Sequence, residues 1–116
     1  MWRPVLGWED LYEVSDKGEV RSLRSGNNLK PYVDPRGYAI VSLSRGGSQK
    51  SIRIHTLVLE AFRGKKPKGK EACHADGYNM NNNLDNLRWD THYNNMQDRE
   101  KYKATYGGRI SRDEEE

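Results

Sequence analysis

The sequence predicts an α+β protein in which a small N-terminal antiparallel β-sheet is followed by a strand–loop–strand–helix unit. Three observations support this prediction. Residues 12–55 contain short runs of alternating apolar and polar side chains that are separated by turn signals. Residues 57–62 carry apolar side chains at helical spacing. The stretch 73–95 gathers Cys, His, Asp and Asn residues without the apolar spacing of a core, which predicts a functional site.

Composition limits the size and the class of the protein. The chain has 116 residues, of which 34% are hydrophobic and 32% are charged, enough for one modest core and too few for two independent ones. A single cysteine excludes an intramolecular disulfide. Because no N-terminal apolar run resembles a signal peptide or a membrane span, we expect a soluble, cytoplasmic protein with no membrane partner.

The charge distribution favours a polyanionic partner. The formal net charge is +3, but residues 113–116 are all acidic, so residues 1–112 carry +7. A positive domain attracts nucleic acid through long-range steering and through the release of counterions. A basic domain that is merely soluble would show the same composition, so charge alone does not decide between the two.

The first predicted element is a β-hairpin. Residues 12–15 and 20–23 alternate apolar and polar side chains on either side of the turn Asp16-Lys17-Gly18. Arg21 and Arg24 lie in or just after the second strand, where we expect them to be free to reach out toward a polyanionic partner.

Further strands extend this element into a predicted sheet of four or five strands. Residues 29–33 suggest a short edge strand, and residues 38–44 and 50–55 alternate apolar and polar side chains. In the last of these strands Ile54 is predicted to point inward. Arg53 then faces the opposite side and is a candidate for DNA contact.

A short helix and a basic loop follow the sheet. Residues 57–62 predict a helix that covers the sheet, with Thr56 as its N-cap. His55, at the strand-to-helix junction, is interpreted as a structural residue, with a ligand role as the alternative. Residues 63–70 form a loop that either contacts phosphate or is simply solvated. Its candidates for DNA contact are Lys65, Lys66 and Lys68.

The predicted site is built from the elements after the basic loop. They are a strand end at 71–74, a turn at 76–77, an asparagine-dense loop at 78–85 and a second strand at 87–89. Asp90 and Thr91 then predict the start of a helix that runs to about Lys103. Asn95 lies four residues after Thr91 and therefore on the same helix face.

Both halves of the chain resemble a known family. The C-terminal part of the chain resembles the phage-type HNH endonucleases, which have the ββα-metal fold. The residues that carry this resemblance are His55-Thr56-Leu57-Val58 through Phe62, Cys73-His74-Ala75-Asp76-Gly77, Asn81-Asn82-Asn83, Asn86-Leu87-Arg88-Trp89, Thr91 and Asn95. Residues 8–23 look like the NUMOD4-like module that often precedes this domain in homing endonucleases. The two matches together cover roughly nine-tenths of the chain, and several residues at fixed spacing make coincidence a poor explanation.

The resemblance implies a domain organisation and an activity. Residues 1–50 would be the NUMOD4-like β module with a DNA-binding surface, 51–105 the nuclease domain, and 106–116 a flexible tail that is first basic and then acidic. The implied activity is metal-dependent hydrolysis of phosphodiester bonds, nicking one strand of double-stranded DNA. We expect a phage- or intron-associated monomer or weak dimer with modest sequence specificity, acting in the bacterial host cell if it is phage-encoded.

The resemblance also implies roles for three residues. His74 matches the histidine that acts as general base toward the attacking water, since a neutral imidazole accepts a proton near physiological pH. Asn86 matches the central asparagine, which holds the two strands and the loop in register and helps to orient the histidine. Asn95 matches the last position of the motif, a metal ligand on the helix.

The implied cofactor is one divalent metal ion that bridges a phosphate oxygen and the leaving 3′ oxygen. Oxygen ligands suit Mg²⁺ or Mn²⁺, with Ni²⁺ and Zn²⁺ as alternatives. Cys73 departs from the family pattern, because the residue before the histidine is often an aspartate that binds the metal. Cys73 either binds a softer ion, is a buried bystander, or leaves Asp76 to bind the metal.

Two further residues are candidates for DNA contact. Arg88 alternates away from Leu87 and Trp89 along the second strand and is predicted to contact a backbone phosphate. His92 lies at the start of the helix, three residues before Asn95, where it faces either phosphate, a metal or solvent.

Two other functions compete with the nuclease. A DNA-binding protein that has lost cleavage would carry the substitution at Cys73 as a sign of decay, although His74, Asn86 and Asn95 are intact. A zinc-stabilised interaction module would use Cys73 with His55, His74 or His92. Structural zinc sites draw on four Cys or His ligands at paired spacings, which a lone cysteine does not match.

Overall fold

The computed structural model describes residues 1–106. Three small antiparallel sheets and two α-helices make up this part of the chain, so the α+β class that the sequence predicts is confirmed. The predicted tail at 106–116 lies outside the described residues, apart from its first residue.

The first sheet is formed by the N-terminal residues. Its strands, in the order β1-β2-β3, are β1 (Trp2–Pro4), β2 (Tyr12–Ser15) and β3 (Val20–Ser22). The predicted hairpin is present, with Val14 opposite Val20. Arg21 is not free as expected, because its guanidinium lies 2.7 Å from Glu13 Oε1 and 3.9 Å from the ring of Trp2.

The second sheet differs from the prediction of one continuous sheet. Its strands, in the order β4-β5-β6, are β4 (Tyr32–Val33), β5 (Ala39–Arg45) and β6 (Ser48–Arg53). No strand of the first sheet pairs with one of the second within residues 1–106. As the alternation predicts, Ala39, Val41 and Leu43 are all buried on one face of β5.

Helix α1 (Ile54–Arg63) follows β6 without a loop. The prediction that Thr56 caps this helix is wrong, because the helix begins two residues earlier and its N-cap, Arg53, makes no side-chain cap bond. Ile54 is buried as expected, but as the first residue of the helix and not as the end of a strand. Burial of Ile54 in the core therefore outweighs the local capping signal.

The C-terminal unit has the predicted strand–loop–strand–helix order. Its elements are β7 (Glu71–His74), a 3₁₀-helix (Leu84–Asn86), β8 (Leu87–Asp90) and α2 (His92–Tyr106). Strands β7 and β8 pair in antiparallel fashion, with His74 opposite Leu87. Thr91 caps α2 as expected, since its Oγ1 accepts a hydrogen bond from Asn94 N at 3.3 Å.

A single cluster of buried apolar side chains joins the two halves of the chain. Val14 and Val20 of the first sheet, Val41 and Leu43 of the second, and the α1 residues lie in the same cluster as Leu87 of β8. Because this core spans the predicted boundary near residue 50, the proposed domain limits stay a prediction. Among residues 1–106, none of the helices has the length and apolar character needed to cross a membrane.

Candidate active site

A basic groove opens beside β7, α1 and the start of α2. Its volume is about 450 Å³, and its lining includes one carboxylate, that of Glu71, and the side chains of His55, His92 and Asn95. Five cationic residues also line it: Arg36, Arg53, Lys66, Lys70 and Arg99. The groove therefore carries a large excess of positive charge, which suits a phosphate backbone.

His74 lies behind one wall of this groove and is only 3% exposed. Its ring stacks on that of His55, with 4.5 Å between the ring centroids, and His55 in turn stacks on Tyr38 at 5.1 Å. Burial is the main cause that lowers the pKa of His74 below 6.5, against the opposing effects of Asn82 and Asp76. His74 is therefore neutral at physiological pH, which is the form that a general base requires.

Asn82 determines which nitrogen of His74 is available. The Nε2 atom of His74 lies 2.8 Å from Asn82 Oδ1, which can only accept a hydrogen bond. Nε2 therefore donates its proton to Asn82, and Nδ1 is the nitrogen left to accept a proton. The family resemblance implied that Asn86 helps to orient the histidine, but in the structure the direct contact comes from Asn82.

Asn86 instead fastens the loop between β7 and β8. Its Oδ1 accepts a hydrogen bond from Asp76 N at 3.1 Å, and its Nδ2 donates to Asp76 Oδ1 at 3.0 Å and to Asn81 O at 2.9 Å. Its backbone oxygen accepts from Ala75 N at 2.7 Å. These bonds hold the loop against the strand, as the architectural part of its predicted role requires.

Asp76 belongs to the same network. Its carboxylate accepts hydrogen bonds from Asn81 Nδ2 at 2.9 Å and from Tyr78 N at 2.8 Å, besides the one from Asn86. Burial raises the pKa of Asp76, but these bonds outweigh it and hold the pKa below its ordinary value. Asp76 does not line the groove in which Asn95 lies, and its contacts explain the order of the loop; its role as a metal ligand stays a prediction.

Cys73 does not face the groove. Its side chain is fully buried, and its thiol donates to the backbone oxygen of Glu71 at 3.4 Å. Burial raises the pKa of the Cys73 thiol to about 11, so the thiolate that a metal requires is disfavoured near neutral pH. Of the alternatives that the sequence left open, this arrangement favours the buried bystander.

Asn95, the predicted metal ligand, lies on the first turn of α2 and faces β7. Its Nδ2 donates to Glu71 Oε2, and His92 Nδ1 lies 3.2 Å from Glu71 Oε1. A carboxylate oxygen, an amide and an imidazole nitrogen therefore meet at the groove. Within residues 1–106 no three His, Cys, Asp or Glu side chains come together as a metal site, which gives the zinc-module alternative no ligand set there.

The predicted DNA-contact residues divide into two groups. Those that line the groove are Arg53, Lys66 and His92. Those that lie outside it are Arg21, Arg24, Lys65, Lys68 and Arg88. The side chain of Arg88 is engaged in ion pairs within the protein. Its guanidinium pairs with Asp90 at 2.8 Å and with Asp98 of α2 at 2.7 Å.

Several residues of the site were not singled out from the sequence. Glu71 was assigned only to a strand end, and Arg36 and Lys70 only to a turn and a basic loop. Asn82 was part of the family resemblance, but no role was predicted for it. Glu71 and Asn82 gain their places through contacts with residues on other elements, which no local pattern marks. For Arg36 and Lys70, their positive charge was the available signal.

Comparison with known proteins places this site in a family. The HNH endonuclease family model matches residues 53–97, and the NUMOD4 motif model matches residues 1–44. A solved structure of the HNH homing endonuclease I-HmuI, described as showing DNA binding and cleavage, has a TM-score of 0.78 and 34% sequence identity to this chain. The match covers 95% of this chain and 67% of that one. This chain belongs to the HNH endonuclease family.

Curated relatives of this HNH endonuclease family member are also endonucleases by name. DNA endonuclease I-HmuI of Bacillus phage SP01 is 38% identical over 96 residues, which is 83% of this chain and 55% of the relative. The HNH endonuclease L245 of Acanthamoeba polyphaga mimivirus, itself uncharacterised, is 36% identical over 94 residues, or 81% of this chain and 28% of the relative. The chain thus spans about half the length of the first relative.

The HNH match contains His74, Asn86 and Asn95 together with the groove residues Glu71 and His92. The N-terminal match packs against the HNH match, because Leu84 N donates to Asp16 O at 2.8 Å and ties the turn of the first hairpin to the 3₁₀-helix. The two matched regions also share the buried apolar core.

His55 makes the stability of this HNH fold depend on pH. Burial is the main cause that lowers the pKa of His55 from 6.5 to about 3. Above pH 6.5 neither the folded nor the unfolded chain protonates this ring, so it adds no pH dependence. Between 6.5 and about 3 only the unfolded chain takes up the proton, and the free energy of unfolding falls by up to about 1.4 kcal/mol per pH unit.

We expect His55→Phe, which keeps an aromatic ring packed against both Tyr38 and His74, to remove this contribution. The measurement is urea unfolding of both proteins from about pH 7 down to about pH 5. As the pH falls, the free energy of unfolding should decrease more steeply for the wild type than for the variant. The difference in slope should correspond to the uptake of about one proton on unfolding. Equal slopes for the two proteins would show that His55 does not stay neutral in the folded state.

Proposed function

We propose that this chain is a metal-dependent DNA endonuclease that nicks one strand of double-stranded DNA. The observation that carries the proposal is the basic groove, in which Asn95 lies and behind whose wall the neutral His74 is held. DNA binding and cleavage by the relative I-HmuI support the same activity for this chain.

The groove cations would bind the DNA backbone. Arg53 stacks on Tyr38 at 4.0 Å and bonds to Asp34 Oδ2 at 3.1 Å, so its guanidinium is held in place at the groove wall. Lys66 and Arg99 line the same groove. Phosphate contacts position the duplex without reading its sequence, so we infer modest sequence specificity from this surface.

His74 would act as the general base. Because Nε2 donates to Asn82, Nδ1 accepts the proton of the attacking water as the water adds to phosphorus. The stack with His55 keeps the ring in place, and its own buried position keeps it neutral. Access of DNA and water to this buried ring requires a local adjustment of the groove wall when substrate binds.

HNH endonucleases generally depend on a divalent metal ion, and we propose Mg²⁺ or Mn²⁺ for this chain, with Asn95 as a ligand. A divalent ion held there supplies a positive charge that offsets the charge growing on the phosphate and the leaving 3′ oxygen. The amide and carboxylate donors beside the groove suit such an ion.

We further propose that the chain acts as a monomer or weak dimer in the cytoplasm of a bacterial host. One active site per chain supports single-strand nicking, and the relative from a Bacillus phage supports the setting.

The proposed function is tested with supercoiled plasmid DNA. Purified protein is incubated with plasmid in Mg²⁺, Mn²⁺, Ni²⁺ or Zn²⁺, and in EDTA. We expect conversion to nicked circles in Mg²⁺ or Mn²⁺ and none in EDTA. A protein that binds DNA in a salt-dependent way but nicks it with none of the ions would be a decayed nuclease, and the proposal would be wrong.

A further inference from the structure

The carboxylate of Glu71 occupies a central position among the donors of the groove. It is contacted by Asn95 Nδ2 through Oε2 and by His92 Nδ1 at 3.2 and 3.3 Å through its two oxygens. Asn95 and His92 are three residues apart on the first turn of α2, so both face β7. Three side chains from two elements therefore converge on one point.

Cys73 is not part of this cluster of Glu71, His92 and Asn95. Glu71 and Cys73 are two residues apart on β7 and so lie on the same face of the strand. The carboxylate reaches the groove, whereas the thiol is fully buried and bonds to the strand's own backbone. The family pattern often has a carboxylate at the position of Cys73, and here the carboxylate beside Asn95 comes from two residues earlier.

We propose that Glu71 supplies the carboxylate of the divalent-cation site, together with Asn95 and His92. The inference deepens the proposed function and rests on it for the use to which the cation is put. Rotation of the Asn95 amide by half a turn would present its oxygen instead of its nitrogen, which exchanges its hydrogen bond for a ligand bond. A carboxylate, an amide oxygen and an imidazole nitrogen together suit Mn²⁺ and its neighbours among the first-row ions.

The site has the openness that a catalytic ion needs. The side chains of His92 and Glu71 are 68% and 40% exposed, and the groove beside them is lined by cations that attract phosphate. Coordination positions on the open side would remain for water and for the substrate.

A purely structural reading of the same contacts makes a different prediction. If Glu71 only fastens α2 to β7, a glutamine in its place would keep an acceptor for Asn95 and His92 and change little. If Glu71 binds a cation, the same substitution removes the charge on which affinity depends. Glu71→Gln therefore separates the two roles without removing side-chain volume.

The test measures cation binding and not activity. Purified full-length protein is titrated with Mn²⁺ in the absence of DNA, and free Mn²⁺ is followed by electron paramagnetic resonance. We expect one Mn²⁺ per chain in the wild type and at least about tenfold weaker binding in Glu71→Gln. Glu100→Gln, which removes an exposed carboxylate from helix α2, and Cys73→Ser should bind Mn²⁺ within about twofold of the wild type.

Several results would overturn the assignment. One is that Glu71→Gln binds Mn²⁺ with the affinity of the wild type. Another is that Cys73→Ser loses as much Mn²⁺ affinity as Glu71→Gln, or more. The third is that the wild type binds no stoichiometric Mn²⁺. Circular dichroism melting confirms that each variant is folded. If the wild type nicks DNA while Glu71→Gln binds Mn²⁺ normally, only the assignment of Glu71 fails. If binding depends on Glu71 and the wild type nicks nothing, only the proposed function fails.

Discussion

Replacing His74 by alanine is expected to lower the rate of DNA nicking by about 10²–10⁴-fold. The substitution removes the neutral imidazole whose Nδ1 is the nitrogen left to accept a proton from water. The described contacts of the His74 side chain are with Asn82, His55 and Tyr38, so we expect the groove cations to stay in place. The measurement is single-turnover nicking of supercoiled plasmid at saturating enzyme and Mn²⁺.

Two controls accompany this variant. Binding of duplex DNA in EDTA should stay within about threefold of the wild type, which separates chemistry from association. Lys65→Ala removes an exposed cation that lies outside the groove and should nick at close to the wild-type rate. Full metal-dependent nicking by His74→Ala would show that another residue is the base.

Gly18→Ala is the second substitution with a large expected effect, although Gly18 lies in the turn between β2 and β3 of the N-terminal sheet. Gly18 has a φ of +86°, and a Cβ there would lie 2.8 Å from Asn82 Cβ and 3.0 Å from Asn82 O. Asn82 is the residue that accepts the hydrogen bond from His74. Displacing it by even a fraction of an ångström would shift the base, so we expect the nicking rate to fall by about 10–10²-fold.

Gly7→Ala provides the matched control for Gly18→Ala. Gly7 has nearly the same φ, +85°, but a Cβ there would have no atom within 4 Å. Both variants should therefore lose about 1–3 kcal/mol of stability through backbone strain, and only Gly18→Ala should lose nicking activity. Both rates are measured well below the melting temperatures of the variants. Equal activity of the two variants would contradict a positioning role for the contact between Gly18 and Asn82.

The sequence predicted the individual strands and helices better than it predicted how they pair and pack. Alternation correctly predicted the buried face of β5, and Thr91 correctly predicted the start of α2. Alternation does not reveal which strands pair, so two separate sheets appeared where one was expected. Helix α1 was predicted, but its first residue depends on the burial of Ile54, which no local signal shows.

The residues of the candidate site were likewise predicted only in part. Resemblance to the family identified His74, Asn86 and Asn95 as site residues, and their chemical roles stay predictions. It could not reveal that Asn82 contacts His74, because one polar loop contains four asparagines with the same local chemistry. Nor could it reveal Glu71, whose contacts with α2 exist only after the helix has packed against β7.

Arg88 shows the same limit for charged residues. Its place on the strand suggested a phosphate contact, since alternation put it opposite the apolar side chains. In the structure it joins β8 to α2 through its ion pair with Asp98, which is nearly buried. Whether a cation faces DNA or an internal carboxylate depends on tertiary packing, and the sequence pattern is identical in the two cases.

The central claim is that this chain hydrolyses a phosphodiester bond with the 3′ oxygen as the leaving group. Its most direct test is to treat plasmid nicked by the purified protein with DNA ligase. Hydrolysis of that bond leaves a 3′-hydroxyl and a 5′-phosphate, so we predict that ligase alone reseals the nicked circles. Nicks that ligase cannot seal without prior repair of their ends, or plasmid that is not cut at all, would contradict the account.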